Sequence, residues 1–117
     1  MFCLIIAGGR DFNDYALLER VVDQFLADIQ DEITIFCGTA RGADSLGERY
    51  AKSRGYALRY FPPDWRRFGR AAGPIRNQEM ADGADALAAF WDGKSRGTGH
   101  MIRSARGRGL RLLVTQY

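Results

Sequence analysis

The chain contains 117 residues, of which 46% are hydrophobic and 26% are charged. This is the composition of a globular domain, and it excludes intrinsic disorder, collagen-like repeats and a small disulfide scaffold. A net charge of +3, from 17 Lys and Arg against 14 Asp and Glu, is a mild bias towards anionic ligands.

The apolar segments are too short for a membrane span, which needs about 20 apolar residues. The run Phe2–Ala7 stops at Gly8 and has no basic residues before it, so we predict a buried strand there rather than a signal segment. We expect one domain over residues 1–117, in the cytoplasm and without a membrane partner. Cys3 and Cys37 are predicted to be buried thiols, because adjacent parallel strands would hold them too far apart for a disulfide.

Strand and helix patterns alternate along the chain, which is typical of a parallel sheet with crossover helices. The first strand, Phe2–Ala7, is followed by a helix from about Asp14, with Asn13 or Asp11 as its N-cap. The later predicted elements are a strand at Ile33–Cys37, a helix from about Ala43 to Arg54, a strand at Ala57–Phe61, a loop over Asp64–Ala72, a helix from Gly73 to about Asp82, a strand at Ala86–Trp91, a helix over Thr98–Arg108 and a strand at Leu110–Thr115.

This order predicts an α/β fold of the Rossmann-like, three-layer type. Right-handed crossovers leave few topologies, and we predict a five-stranded parallel sheet in the order 3-2-1-4-5. That order creates a switch point between the first and fourth strands. Ligands bind at such points, outside the carboxyl ends of the strands, so the loops that leave the strands should carry the function.

Three of these loops combine glycine with hydroxyl or arginine side chains. Glycine lets the backbone approach a bound group, and the N–H groups at a helix start, together with Ser, Thr and Arg side chains, bind phosphate. The loops span residues 8–12, 38–44 and 92–98. None contains a Walker phosphate loop or a GxGxxG fingerprint, which disfavours ATP hydrolysis and nicotinamide redox chemistry. Arginines also concentrate at 66–76 and at 103–111, and we interpret the second cluster as a solvated basic face.

Four spaced motifs resemble the YspA group of the SLOG superfamily. They are Gly9-Arg10-Asp11-Phe12, Gly38-Thr39-Ala40-Arg41-Gly42-Ala43-Asp44, Ala72-Gly73-Pro74-Ile75-Arg76-Asn77-Gln78-Glu79-Met80, and Phe90-Trp91-Asp92-Gly93 with Gly97-Thr98. The superfamily also includes the DprA DNA-processing proteins and the LOG-type phosphoribohydrolases. The resemblance implies a Rossmann-like domain that senses or processes nucleotides, and it implies a homodimer.

The LOG-type enzymes carry an arginine motif and a GTxxE motif that act on an N-glycosidic bond. The resemblance maps the arginine onto Arg76, whereas Met101 occupies the position of the expected glutamate. It therefore implies that the binding half of such a site is retained and that the catalytic half is not. The remaining candidates for a catalytic role are Arg76, Glu79 and His100.

The predicted ligand-binding residues come from the three loops and from the helix that carries Arg76. They are Gly8, Gly9, Arg10, Asp11, Gly38, Thr39, Arg41, Gly42, Asp44, Arg76, Asn77, Asp92, Gly93, Ser95, Gly97 and Thr98. No cluster of Cys, His or acidic residues predicts a metal site, so Mg²⁺ is expected only if a nucleotide brings it.

Several of these residues also have a structural interpretation. Arg76 lies near a helix start, where a cation is unfavourable unless an anion binds there, although it could instead pair on the surface. An acid such as Asp44 is stabilised at a helix start with or without a ribose hydroxyl to bind. Trp65 is a better candidate than Trp91 for stacking on a base. The only histidine, His100, has no carboxylate partner at an obvious spacing, which gives little support to a general-base role.

The sequence thus predicts a module that binds or senses a nucleotide or a nucleotide-derived phosphate ligand. One alternative is a hydrolase that cleaves a nucleotide at its N-glycosidic or phosphate bond. A second alternative, suggested by the DprA branch and by the arginine content, is binding of DNA, and nucleic acid is the less favoured partner.

Overall fold

Strands and helices alternate from end to end in the computed structural model, which describes residues 1–117. The strands are β1 (Phe2–Gly8), β2 (Ile33–Cys37), β3 (Ala57–Tyr60), β4 (Ala86–Trp91) and β5 (Arg111–Gln116). The helices are α1 (Tyr15–Phe25), α2 (Ala43–Arg54), α3 (Trp65–Phe68), α4 (Ala72–Gly83) and α5 (Arg96–Gly107). The five strands are parallel and form one sheet in the order β3-β2-β1-β4-β5. This confirms the predicted α/β, Rossmann-like fold and its switch point between β1 and β4.

Apolar side chains cover both faces of the sheet. In β1, Leu4 and Ile6 pack on one face with residues of α1 and α2, while Cys3 and Ile5 pack on the other with residues of α4 and α5. A central parallel strand is buried on both faces, which explains why β1 is apolar without alternation. The helices therefore flank the sheet in two layers, and the carboxyl end of β1 opens between them.

The N-cap of α1 differs from the prediction. Asp14 caps this helix, because its side chain accepts the N–H of Leu17 at 3.0 Å. Asn13 and Asp11 were wrong as caps, and the Asp11 side chain instead accepts the hydroxyl of Tyr117. An Asp immediately before the first helical residue is placed to accept a free N–H of the first turn, which a more distant acid is not.

The segment predicted as a loop over Asp64–Ala72 is largely helical. It forms α3 and then a short 3₁₀ helix, Gly69–Ala71, that leads into α4. The Asp64 side chain accepts the N–H of Arg67 at 3.1 Å and so starts α3. A single helical turn is too short to show a hydrophobic period, so the capping aspartate was its only signal.

The two cysteines, Cys3 and Cys37, are buried free thiols, as predicted. Cys3 lies opposite Thr34 in the register of β1 and β2, three residues from Cys37 along that strand. None of the helices combines the length and the apolar character that a membrane crossing requires.

Candidate functional site

An open cleft of about 680 Å³ lies at the end of β1. Its walls come from the loops after β1 and β2, from α3 and α4, and from the start of α5. The predicted site residues that line it are Gly8, Gly9, Arg10, Asp11, Asp44, Arg76, Asn77, Ser95, Gly97, Thr98 and His100. The fold thus brings residues from three predicted loops and from α4 to one cleft.

Other predicted residues lie outside the lining. They are Gly38, Thr39, Arg41, Gly42, Asp92, Gly93 and Glu79. Glu79 is exposed on α4. Gly38, Thr39, Arg41 and Gly42 belong to the turn between β2 and α2, and Asp92 and Gly93 belong to the turn between β4 and α5.

Gly42 has a packing role between two loops. It has φ +72°, and a Cβ at this position would lie 2.2 Å from the carbonyl oxygen of Gly9. The next residue, Ala43, donates its N–H to the same oxygen at 3.1 Å. A side chain at Gly42 would therefore separate the loop after β1 from the loop after β2.

Thr39 adopts a left-handed conformation with φ +68°. A β-branched residue rarely does so, and the conformation costs about 1–3 kcal/mol. The following residue, Ala40, donates its N–H to Oδ2 of Asp44 at 3.0 Å. The strained turn after β2 thus places the backbone N–H of Ala40 against the carboxylate of Asp44 in the cleft wall.

Asp44 combines deep burial with opposing charges. Only 6% of it is exposed, and this burial raises the pKa of its carboxyl despite the Ala40 N–H and the Arg76 and Arg10 cations, which act in the opposite direction. A Cβ on Gly38 would lie 2.7 Å from Oδ2 of Asp44 and 2.8 Å from Nη1 of Arg76. Glycine at position 38 therefore leaves the space in which this acid and this guanidinium approach each other.

Arg76 is fixed by three contacts with the protein. Its Nη1 donates to the carbonyl oxygen of Gly38 and, at 3.4 Å, to that of Phe61, while its Nε donates to Oδ1 of Asn77 at 3.0 Å. These bonds join α4 to the ends of β2 and β3. Burial lowers the pKa of Arg76, but a guanidinium stays charged at any physiological pH. Its Nη2 makes none of these bonds.

Asn77 and His100 connect α4 to α5 at the cleft wall. Nδ2 of Asn77 lies 3.3 Å from the carbonyl oxygen of Gly97 and 3.2 Å from Nδ1 of His100. Burial and the nearby Arg103 cation lower the pKa of His100.

Asp92 and Gly93 form the turn that starts α5. The carboxylate of Asp92 accepts the N–H groups of Lys94 and Ser95, both at 2.8 Å. These bonds lower the pKa of Asp92, and Gly93 takes φ +83°. The turn presents the first residues of α5 to the cleft, where helix N–H groups and the helix dipole favour an anion.

Trp91 supports the same turn from β4. Its indole Nε1 donates to the carbonyl oxygen of Ser95 at 2.9 Å. Trp65 instead lines the cleft and is 52% exposed. The two tryptophans thus occupy the different environments that the sequence suggested.

Two cleft arginines, Arg96 and Arg103, were missing from the predicted site. With His100 they follow a spacing of four and then three residues on α5, which places all three on one helix face. The spacing was readable in the sequence, but the expected helix start at Thr98 excluded Arg96. Arg103 belongs to the segment 103–111, which we interpreted as a solvated basic face; it is exposed and also lines the cleft.

The charges in the cleft wall are mainly positive. Four arginines line it, against two aspartates. They are Arg10, Arg76, Arg96 and Arg103, with Asp11 and Asp44. No three His, Cys, Asp or Glu side chains lie together as a metal-binding group, and Mg²⁺ carried by a nucleotide stays a prediction.

The parallel sheet, its switch point and the cleft at the strand ends define a Rossmann-like α/β protein. The model of the YspA, cpYpsA-related SLOG family matches residues 2–68 of the chain. The Gene 61 protein of Mycobacterium phage D29 is 32% identical over an alignment 113 residues long, and the alignment covers 92% of this chain and 90% of the phage protein. The chain belongs to the YspA, cpYpsA-related SLOG family, as its motifs indicated.

Proposed function

We propose that the protein binds a nucleotide or a nucleotide-derived phosphate ligand in the cleft and acts as a binding or sensing module. The observation that carries this proposal is the convergence of the α5 start and four arginines on one cleft at the switch point of the sheet. Helix starts and guanidinium groups both bind phosphate oxygens through hydrogen bonds and favourable charge. Membership of the SLOG family favours a nucleotide-related role.

The phosphate would bind at the start of α5. Ser95, Gly97 and Thr98 line the cleft there, and Arg96 is exposed beside them. Gly97 has no atoms within 4 Å of its Cβ position, so a ligand can approach its backbone closely. Arg76, on the neighbouring helix α4, lines the same cleft.

The rest of the ligand would lie against apolar residues of the cleft. Trp65, Pro74 and Met80 are among the lining residues, and the exposed Trp65 ring offers a surface for stacking on a base. Asp44 has its Oδ2 engaged by Ala40, and its second oxygen can accept a ribose hydroxyl.

A hydrolase is a weaker alternative at this cleft. Cleavage of an N-glycosidic bond needs a carboxylate that steadies positive charge on the ribose or activates water. Met101, at the position of the LOG-type glutamate, is 1% exposed and packs in the core beneath the cleft. Asp11 is hydrogen-bonded to Tyr117, which leaves Asp44 as the acid to test.

The test compares two exposed arginines of α5. Arg96 lines the cleft, whereas Arg106 lies ten residues further along the helix and outside the lining. A nucleotide at 100 times its Kd should raise the unfolding free energy by about 2.7 kcal/mol, which a thermal-shift screen detects. We expect Arg96→Gln to weaken nucleotide binding about tenfold, the worth of about 1.4 kcal/mol, and Arg106→Gln to leave it unchanged.

Two further measurements separate the alternatives. Binding of single-stranded DNA that falls steeply with salt would favour the nucleic-acid reading instead. Release of free base from nucleoside monophosphates at ~1–10³ s⁻¹, abolished by Asp44→Asn, would establish a hydrolase. If no nucleotide shifts the melting temperature and both arginine variants behave alike, the proposal is wrong.

A further inference from the structure

The side-chain amide of Asn77 has a fixed orientation. Its Oδ1 faces Nε of Arg76 at 3.0 Å, and its Nδ2 faces the carbonyl oxygen of Gly97 at 3.3 Å. A guanidinium N–H only donates and a carbonyl oxygen only accepts. A flipped amide would set donor against donor and acceptor against acceptor, and Asn77 is 6% exposed, so water does not readily repair such contacts.

This orientation determines which nitrogen of His100 carries the proton. Nδ2 of Asn77 also lies 3.2 Å from Nδ1 of His100. Because Nδ2 is a donor, Nδ1 must be the acceptor and therefore the nitrogen without a proton. A neutral imidazole carries one proton, which must then be on Nε2.

We propose that Asn77 is a positioning residue that holds His100 as a neutral imidazole protonated at Nε2, so that the cleft wall offers a hydrogen-bond donor and no base nitrogen. The lone pair of Nδ1 is used by Asn77, and a proton on Nδ1 would face the Asn77 N–H. His100 therefore cannot act as the general base that an isolated histidine near a cleft suggests.

His100 lies where two cavities meet. His100 and Arg103 line both the cleft and an adjoining hollow of about 360 Å³ between α4 and α5. The other residues of this hollow are Gln78, Ser104, Gly107 and Arg108. Nε2 makes no hydrogen bond within the protein. Beside the guanidinium of Arg103, it suits a phosphoryl oxygen of the ligand, and this ligand assignment rests on the proposed function whereas the tautomer does not.

The cations near His100, like the Asn77 amide, favour the neutral form of the imidazole. Arg96 and Arg103 lie on α5, four residues before His100 and three after it, Arg76 lines the same cleft from α4, and Arg108, which lines the hollow, is paired with Asp82 of α4. The cleft acids Asp11 and Asp44 make no hydrogen bond to the imidazole. Burial and the Arg103 cation lower the pKa of His100, so the neutral form is favoured at neutral pH.

Because His100 is the only histidine, nitrogen-15 NMR of the imidazole tests the proposal without overlap. In the unliganded protein we expect a neutral ring with the proton on Nε2 and a titration below the ordinary value of about 6.5. A proton found on Nδ1 would overturn the proposal, whatever the protein binds.

Two variants test the role of Asn77. In Asn77→Asp a carboxylate accepts from both Arg76 and the histidine, so we expect the proton to move to Nδ1 and the pKa of His100 to rise. In Arg103→Gln the pKa of His100 should rise towards its ordinary value while the proton stays on Nε2. If Asn77→Asp folds and keeps the Nε2 tautomer, or if Arg103→Gln changes the tautomer, Asn77 does not position the ring.

A ligand measurement separates this inference from the proposed function. Adenosine monophosphate serves as the probe, with the Nε2–H signal followed during titration. A shifted Nε2–H signal supports the phosphoryl contact, and binding without any shift overturns it. If no nucleotide binds while the free protein shows the Nε2 tautomer, the proposed function fails and the positioning by Asn77 stands.

Discussion

At the scale of single residues, the shape of the cleft depends on glycines at positions where a side chain would overlap neighbouring atoms. It depends equally on the polar and charged side chains that line the cleft. Gly42 has φ +72° and ψ −124°, and the backbone of Gly9 and Arg10 occupies the space where a side chain would begin. Gly55, the C-cap of α2, has a similar φ of +70° but nothing within 4 Å of its Cβ position. Because ψ is −124° at Gly42 and 23° at Gly55, backbone strain is also greater at Gly42, and Gly55 serves as the reference for a left-handed position without steric overlap.

We expect Gly42→Ala to lower the unfolding free energy by about 3 kcal/mol or more, since strain and overlap with Gly9 add. Gly55→Ala should lower it by about 1 kcal/mol, the cost of a left-handed conformation alone. Urea denaturation of both variants measures the difference. Equal losses would mean that the two cleft loops tolerate separation.

The buried carboxyl of Asp44 leads to a prediction about how the unfolding free energy depends on pH. Burial raises the pKa of its carboxyl in the folded state, so the folded protein binds this proton more tightly than the unfolded chain does. The contribution of Asp44 to stability therefore falls as the pH rises from the unfolded value of about 3.9 through the raised folded value, and it is constant above that.

The measurement is the unfolding free energy of the wild type minus that of Asp44→Asn, between pH 4 and pH 7. We expect this difference to decrease as the pH rises and then to level off. A difference that increases with pH would indicate that Arg76 and Arg10 stabilise the carboxylate more than burial destabilises it.

At the scale of elements, the short helix α3 is the least regular part of the site and brings an aromatic side chain to it. The ring of Trp65 lies 3.8 Å from the Cβ position of Gly73 at the start of α4. Its exposed surface faces the same cleft as the start of α5. Trp91, the other tryptophan, lies at the end of β4, and its indole N–H is hydrogen-bonded to the carbonyl oxygen of Ser95.

Trp65 should therefore report ligand binding. We expect a bound nucleotide to quench tryptophan fluorescence in the wild type and in Trp91→Phe, but not in Trp65→Phe. Trp65→Ala should weaken binding by about 1–3 kcal/mol, the usual worth of stacking on a base, with a change in stability within about 0.5 kcal/mol. Quenching that persists in Trp65→Phe would place the base elsewhere.

At the scale of the whole molecule, charge is unevenly distributed. Residues 11–32 contain seven acids and one arginine, whereas residues 94–111 contain six basic residues and no acid. The basic segment forms the α5 side of the cleft. Such a distribution raises the local concentration of an anionic ligand at the cleft and should make its association rate fall with salt.

The dimer that the family resemblance implies is also a prediction about the whole molecule. Val114 and Tyr117, at and just beyond β5, are among the exposed large hydrophobic residues. Multi-angle light scattering at micromolar concentration should give twice the chain mass of 13.1 kDa. A species of one chain mass throughout the concentration range would count against the dimer.

Local patterns in the sequence were enough to predict the number of strands, their parallel order, the switch point and most of the cleft loops. These features follow from local patterns: a strand buried on both faces reads as a continuous apolar run, as in β1, and right-handed crossovers leave few arrangements of five strands. The bounds of α2 also agree with the prediction, because Gly55 ends this helix in the left-handed conformation.

Which residues of those loops face the cleft, and how they are held, depends on contacts between distant parts of the chain. Arg76 bonds to Gly38 and Phe61, which lie 38 and 15 residues away, and Asn77 bonds to His100 across two helices. Contacts between residues distant in the chain leave no local periodicity, so the sequence could suggest these side chains but not their partners. For the same reason it could not separate Gly42, which packs two loops together, from Gly97, which lies open at the start of α5.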